Sequence, residues 1–131
     1  MTAPATTPQD FARTFAAAWV AAEAEALTRL TTHDAEMLTL TGLWCEGRAA
    51  LVAAAETERL GTLARARLVT GRATCRLPLP GLALVAQRLV VSGLTDPQGR
   101  DLGRQGAMLT ATLAETPEGW QAQMITFAPV L

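Results

Sequence analysis

A chain of 131 residues is long enough to bury one real core and too short for two domains of ordinary size. Half of its residues are hydrophobic and its net charge is −1, which argues against the basic surface that nucleic acid or an anionic membrane requires. No apolar run reaches the ~20 residues of a membrane helix, and because all 11 strongly basic residues are arginine and there is no tyrosine, neither a lysine Schiff base nor a tyrosine proton donor is available.

Residues 1–8 carry neither a basic stretch nor an apolar one, so they read as a flexible tail rather than a secretory signal, and a cytoplasmic location is expected. Residues 9–131 read as a single domain. Thr7-Pro8-Gln9-Asp10 is a helix start: Thr7 caps, Pro8 suits the first turn, and Asp10 lies where the helix dipole favours negative charge. Phe11, Phe15, Trp19 and Ala22 recur every three or four residues and give one apolar face. Glu23 and Glu25 interrupt that face before Leu27 and Leu30 resume it, which predicts a kink or a second short helix. Ala35–Thr41 alternates and stops at Gly42, the pattern of a strand. Gly47-Arg48 opens an alanine-rich helix that runs to about Leu60 and stops at Gly61. Beyond it, strand segments flank Gly71, Pro78–Gly81 turns the chain, and Leu82–Leu94 forms a long central strand. Asp96-Pro-Gln-Gly99 and Thr116-Pro-Glu-Gly119 are hairpin turns. They bracket a strand over Leu102–Leu113, where Gly103 and Gly106 are expected as bulges, and Trp120–Phe127 is the last strand. Helices in the first half and antiparallel strands in the second make an α+β fold.

This order resembles the nuclear transport factor 2-like superfamily, with SnoaL-like and SgcJ/EcaC-type proteins as the branches it is most similar to. The residues that carry the resemblance are Ala18-Trp19, Asp34-Ala35, Gly42 with Gly47-Arg48 and Leu51, then Gly119-Trp120 with Thr126 and Pro129. The resemblance implies a cone-shaped α+β barrel, with N-terminal helices packed on a strongly curved antiparallel sheet around an apolar pocket. It also implies homodimers formed through the outer sheet face. Members include ketosteroid isomerases, cyclases and dehydratases, so fold alone does not select a reaction.

Steroid isomerases of the superfamily use a carboxylate base, a tyrosine and a protonated aspartic acid. Ungapped alignment of the first two helices and strand puts Phe15 at the tyrosine position and Thr39 at the base, and the oxyanion aspartate falls near Met108. A phenyl ring donates no hydrogen bond, and a threonine hydroxyl is too weak a base to take an α-proton unaided. The chain is therefore expected to lack steroid-isomerase chemistry and to bind a small apolar molecule. Phe15, Trp19, Met37, Thr39, Trp44, Met108, Trp120 and Met124 are the expected pocket residues.

Strict alternation along the last strand places Trp120, Ala122, Met124 and Thr126 on one face and Gln121, Gln123, Ile125 and Phe127 on the other. His33 and Asp34 are the remaining candidates for acid–base work, against the simpler reading that Asp34 caps local backbone and His33 is solvated. Arg48 reads as structural, and Arg65, Arg67, Arg72 and Arg76 as a solvated face of the sheet. Gln87 and Gln105 are possible polar groups in an apolar pocket, their facing undetermined. Cys45 and Cys75 lack the CxxC spacing and cannot make a zinc set with one histidine, so they read as reduced buried thiols; no metal and no cofactor is expected.

Overall fold

The computed structural model describes residues 6–130. Helix α1 (Pro8–Ala21) starts on Thr7, whose hydroxyl accepts the Asp10 N–H at 3.3 Å, with Pro8 in the first turn, where no amide donor is needed. Residues 1–5 of the expected tail lie outside the described residues. The helix ends on Ala22, which takes a left-handed conformation (φ 52°) so that its N–H reaches the Ala18 and Trp19 carbonyls. Helix α2 (Ala24–Arg29) follows and buries Leu27. Strands β1 (Thr31–Leu38) and β2 (Trp44–Glu46) lead into α3 (Arg48–Leu60), which is bounded by Gly47 and Gly61. The remaining strands are β3 (Arg67–Leu79), β4 (Leu82–Ser92), β5 (Gln105–Thr116) and β6 (Gly119–Pro129).

The six strands form one curved, unclosed sheet in the order β2-β1-β6-β5-β4-β3. Neighbours are antiparallel except β1 and β6, which run parallel. Helix α1 lies over β3, β4 and β5, while α3 covers β1 and β2. This helical layer leaves the opposite face of the sheet bare. The core is a continuous cluster between helices and sheet that includes Phe11, Phe15, Trp19, Leu51, Leu89, Leu109 and Phe127. No described helix is long and apolar enough to cross a membrane.

Several expected boundaries move, for one reason: bulges break the alternation from which strands are read. β1 begins at Thr31 rather than Ala35, and its pairing with β6 slips between Thr31 and Glu36. The segments on either side of Gly71 are one strand whose register shifts between Thr70 and Ala73. Gly103 lies outside the strands and Gly106 pairs in register with Val90, so neither makes the expected bulge. An irregularity falls on β6 instead, where Thr112 faces Met124 but Leu113 faces Ala122, leaving Gln123 as an extra residue.

Candidate functional site

The helix-facing side of the sheet is built from one row of cross-strand partners: Cys45, Met37, Ile125, Ala111, Val85 and Cys75, from edge to edge. Small residues recur on this side, with Ala83, Ala107, Ala111 and Ala122 all buried. Small side chains on the sheet leave room for large ones on the helix. Phe11, Phe15 and Trp19 are spaced four residues apart on α1 and supply them. Their rings stack in sequence, with centroids 5.9 and 6.2 Å apart. All three are fully buried. The indole Nε1–H of Trp19 has no hydrogen-bond partner among the described residues. A buried donor left unpaired costs about 1–3 kcal/mol, so an acceptor from outside the chain is favoured at this point.

Beside this interior, the β1–β2 turn and the last turn of α3 assemble a polar chain. The Leu43 N–H donates to Thr39 Oγ1 at 3.0 Å, and the hydroxyls of Thr39 and Thr41 lie 3.3 Å apart. Thr41 donates its proton to the carboxylate of Glu58. Since that proton is committed, Thr39 is the donor to Thr41, and the three bonds run in one direction towards Glu58. Glu58 is buried in the α3 face that also buries Leu51 and Ala55. Cys45 lies on the inner face of β2, and burial, followed by the nearby Glu58 carboxylate, pushes its thiol above the ordinary value. The arrangement holds a carboxylate in a poorly solvated place and connects it, through the Thr41 hydroxyl, to Thr39 on the inner side of the sheet.

The residues expected to line a pocket divide between the two faces. Phe15, Trp19, Met37 and Thr39 are buried between helices and sheet. Trp120 is half-buried against the same core. Trp44, Met108 and Met124 point to the other side: Trp44 pairs with Leu38, Met108 with Arg88, and Met124 with Thr112, all one residue out of phase with the buried row. Trp44 is 49% exposed and Met124 40%. The extra residue at Gln123 corrects the face assignment along β6. Ala122 shares the inner side with Ile125 and Phe127, while Met124 and Thr126 share the outer one.

His33 and Asp34 are both exposed and fall in the irregular stretch of β1. His33 borders a shallow groove with Thr28, Arg48, Val52 and Glu56, whereas Asp34 borders another with Glu36 and Met124. Asp34 accepts the Thr32 hydroxyl at 3.0 Å. The two side chains therefore belong to different surfaces. Arg48 ties α3 to the start of β1 by donating to the carbonyl and hydroxyl oxygens of Thr31. Gln87 is buried and donates to the Gly71 carbonyl at 2.8 Å, across the β3 irregularity. Gln105 donates to the Gly106 carbonyl at 2.9 Å. Cys45 and Cys75 are free thiols at opposite ends of the inner row, five strand spacings or about 24 Å apart along the sheet. Among the described residues, no three His, Cys, Asp or Glu side chains are grouped to hold a metal ion. Glu58 was not among the expected site residues, although Leu51, Ala55 and Glu58 recur at spacings of four and three, which places a carboxylate on the buried helix face.

No family model matches the chain, and no curated protein matches it. Solved structures do. An uncharacterised protein with a cystatin-like fold from Caulobacter vibrioides superposes with a TM-score of 0.82 at 20% identity, covering 94% of this chain and 87% of that one. A nuclear transport factor 2-like protein with a cystatin-like fold from Novosphingobium aromaticivorans gives 0.74 at 23% identity, covering 93% and 79%. A ketosteroid isomerase-like protein from Erwinia carotovora atroseptica gives 0.77 at 13% identity, covering 95% and 94%. The chain thus has the cystatin-like, nuclear transport factor 2-like cone fold. At these identities the likeness concerns fold.

Proposed function

We propose that this chain is a homodimeric, cytoplasmic small-molecule-binding protein. The proposed site lies between α1 and the inner face of the sheet, among Phe15, Trp19, Met37 and Thr39, which are packed in the core and would have to part to admit a ligand. The ligand class is a compact apolar molecule carrying one hydrogen-bond acceptor. The observation that carries this reading is the buried indole N–H of Trp19, which has no partner among the described residues. A ligand oxygen would satisfy it, and the stacked rings of α1 would enclose the apolar body. Phe15 and Thr39, standing where the resemblance places a tyrosine donor and a carboxylate base, favour binding over steroid isomerisation. Dimerisation through the outer sheet face is supported by the exposed Trp44, Val69, Val90 and Met124 on that side.

Thermal unfolding with a panel of cyclic ketones tests the reading. At least one ketone should raise the midpoint, and Trp19→Phe should weaken its binding by ~10-fold, the equivalent of one hydrogen bond of ~1.4 kcal/mol. A panel that leaves the midpoint unmoved, or binding indifferent to Trp19→Phe, contradicts it.

A second reading is favoured by the Thr39–Thr41–Glu58 chain: an enzyme acting on a polyketide- or steroid-like substrate as cyclase, dehydratase or isomerase. Glu58 would be its base, acting through the hydroxyls. The protein should then catalyse deuterium exchange at the α-carbon of an enolisable cyclic ketone, and Glu58→Gln should abolish it. Absence of exchange with the unaltered protein removes this reading.

A further inference from the structure

A groove of about 640 Å³ lies beside the C-terminal ends of α1 and α3 and the start of β3. That volume is in the range of small-molecule sites. Its floor is apolar: Leu63 is buried, and Val20 and Ala66 are half-buried against the core. Its rim carries Arg59, Arg65 and Arg67, all exposed. No described carboxylate lines it. Glu58 turns inward to Thr41, and Glu56 borders the groove beside His33 instead. None of the three arginines is in an ion pair among the described residues. Arg76, which the sequence groups with Arg65 and Arg67, borders a separate groove on the bare face of the sheet.

The backbone fixes where these three cations start. Arg59 lies in the last turn of α3, where the helix dipole favours a cation, and its guanidinium donates to the Ala64 carbonyl at 3.0 Å. That bond leaves most of its N–H donors for other acceptors. The segment after α3 is wound by successive turn bonds, from the Ala64 N–H to the Gly61 carbonyl and from the Ala66 N–H to the Leu63 carbonyl. The Arg65 carbonyl rests against Gly93, and Arg67 pairs with Ser92 in the sheet. A helix end accounts for Arg59. Neither a helix end nor a salt bridge accounts for Arg65 and Arg67 beside it. Like charges around one groove repel, and an anion among them removes the repulsion and gains charge-assisted hydrogen bonds. The carbonyl ends of α1 and α3 oppose an anion here by about half a charge each, which three guanidiniums outweigh.

We propose that this groove binds an amphiphilic organic anion. Its phosphate or carboxylate headgroup is held by Arg65 and Arg67, with Arg59 closing the rim, and its short apolar tail lies on Val20, Leu63 and Ala66. The guanidinium fork matches the oxygens of such a headgroup. An inorganic anion leaves the apolar floor uncovered, and a neutral apolar molecule leaves the cations unpaired. The site does not depend on the ligand reading of the interior around Trp19.

Calorimetric titration of the full chain with octyl phosphate, kept below its micelle concentration, tests this. The unaltered chain should bind it, and inorganic phosphate and octyl glucoside should each bind at least ~10-fold more weakly, since each lacks one half of the ligand. Arg65→Gln with Arg67→Gln removes two exposed charges, so its thermal midpoint should stay in place while its affinity falls at least ~10-fold. Arg76→Gln, on the other face, and Trp19→Phe, in the interior, should leave the affinity unchanged. No binding of octyl phosphate overturns the site, as does binding indifferent to the loss of Arg65 and Arg67. Equal loss with Arg76→Gln would mean attraction to any arginine, and loss with Trp19→Phe would put the ligand in the interior; either overturns the site. Inorganic phosphate bound as tightly as octyl phosphate overturns the amphiphilic ligand. Binding confined to vesicles of anionic phospholipid, with none to octyl phosphate, gives the groove to a membrane surface and overturns the proposal.

Discussion

At the scale of single residues, the polar groups inside the core decide what the interior can do. Trp19 presents a donor without an acceptor among the described residues, and Glu58 an acceptor fed by a directed chain of hydroxyls. Cys45 reports on the same corner. Its raised proton affinity means that the folded chain keeps the thiol proton when the unfolded chain has lost it. That contribution to stability is complete below the ordinary thiol value of 9.0 and is lost as pH rises from there towards the folded value. Denaturation midpoints followed from pH 8 upward should fall beyond about 9, and Cys45→Ser should flatten the fall. Native labelling with a maleimide at neutral pH should modify the half-buried Cys75 first and Cys45 only on unfolding. Equal labelling rates would contradict the placement of Cys45. Of these groups, Trp19 was legible from its four-residue spacing with Phe11 and Phe15. Glu58 lies in an alanine-rich helix, where a glutamate ordinarily marks the solvent face, and its three- and four-residue spacing with Ala55 and Leu51 is the signal that sets it on the buried one.

At the scale of elements, what was legible is what is local. The cap at Thr7, the break before α2, the stop at Gly61 and both hairpin turns depend on residues within a few positions of one another, and all stand as read. Strand bulges depend on the partner strand, so the start of β1, the continuity of β3 and the inner and outer faces of β6 were not recoverable from alternation alone. Strict alternation groups Met124 with Trp120 and Ala122 on one face, and the extra residue at Gln123 separates it from them.

One long-range contact has a sharp test. Gly93 leaves β4 at φ +77°, and a Cβ there would stand 2.1 Å from the Arg65 carbonyl oxygen, where the segment after α3 crosses the end of the strand. Gly93→Ala adds a backbone clash to a conformation that alanine avoids. It should destabilise the protein by at least ~2 kcal/mol in urea denaturation. A loss below ~0.5 kcal/mol would mean that the crossing is looser than described.

At the scale of the whole molecule, three helices and two short strands in the first half and four long strands in the second give one helical layer on one side of a six-stranded sheet. The two faces of that sheet then serve different ends. The inner face is alanine-rich and accepts the aromatic ridge of α1. The outer face carries threonines and exposed apolar groups. The order of elements made this architecture legible from sequence. The parallel β1–β6 pairing was not, because it joins the two ends of the chain. The most direct test of the small-molecule reading is the indole region of a nitrogen-15 proton spectrum. Three tryptophans give three Nε1–H signals, and Trp19→Phe identifies the one that matters. On titration with a cyclic ketone that stabilises the protein, the Trp19 signal should move downfield and exchange more slowly with solvent as its N–H gains an acceptor. A Trp19 signal that stays in place while such a ketone binds would contradict the account.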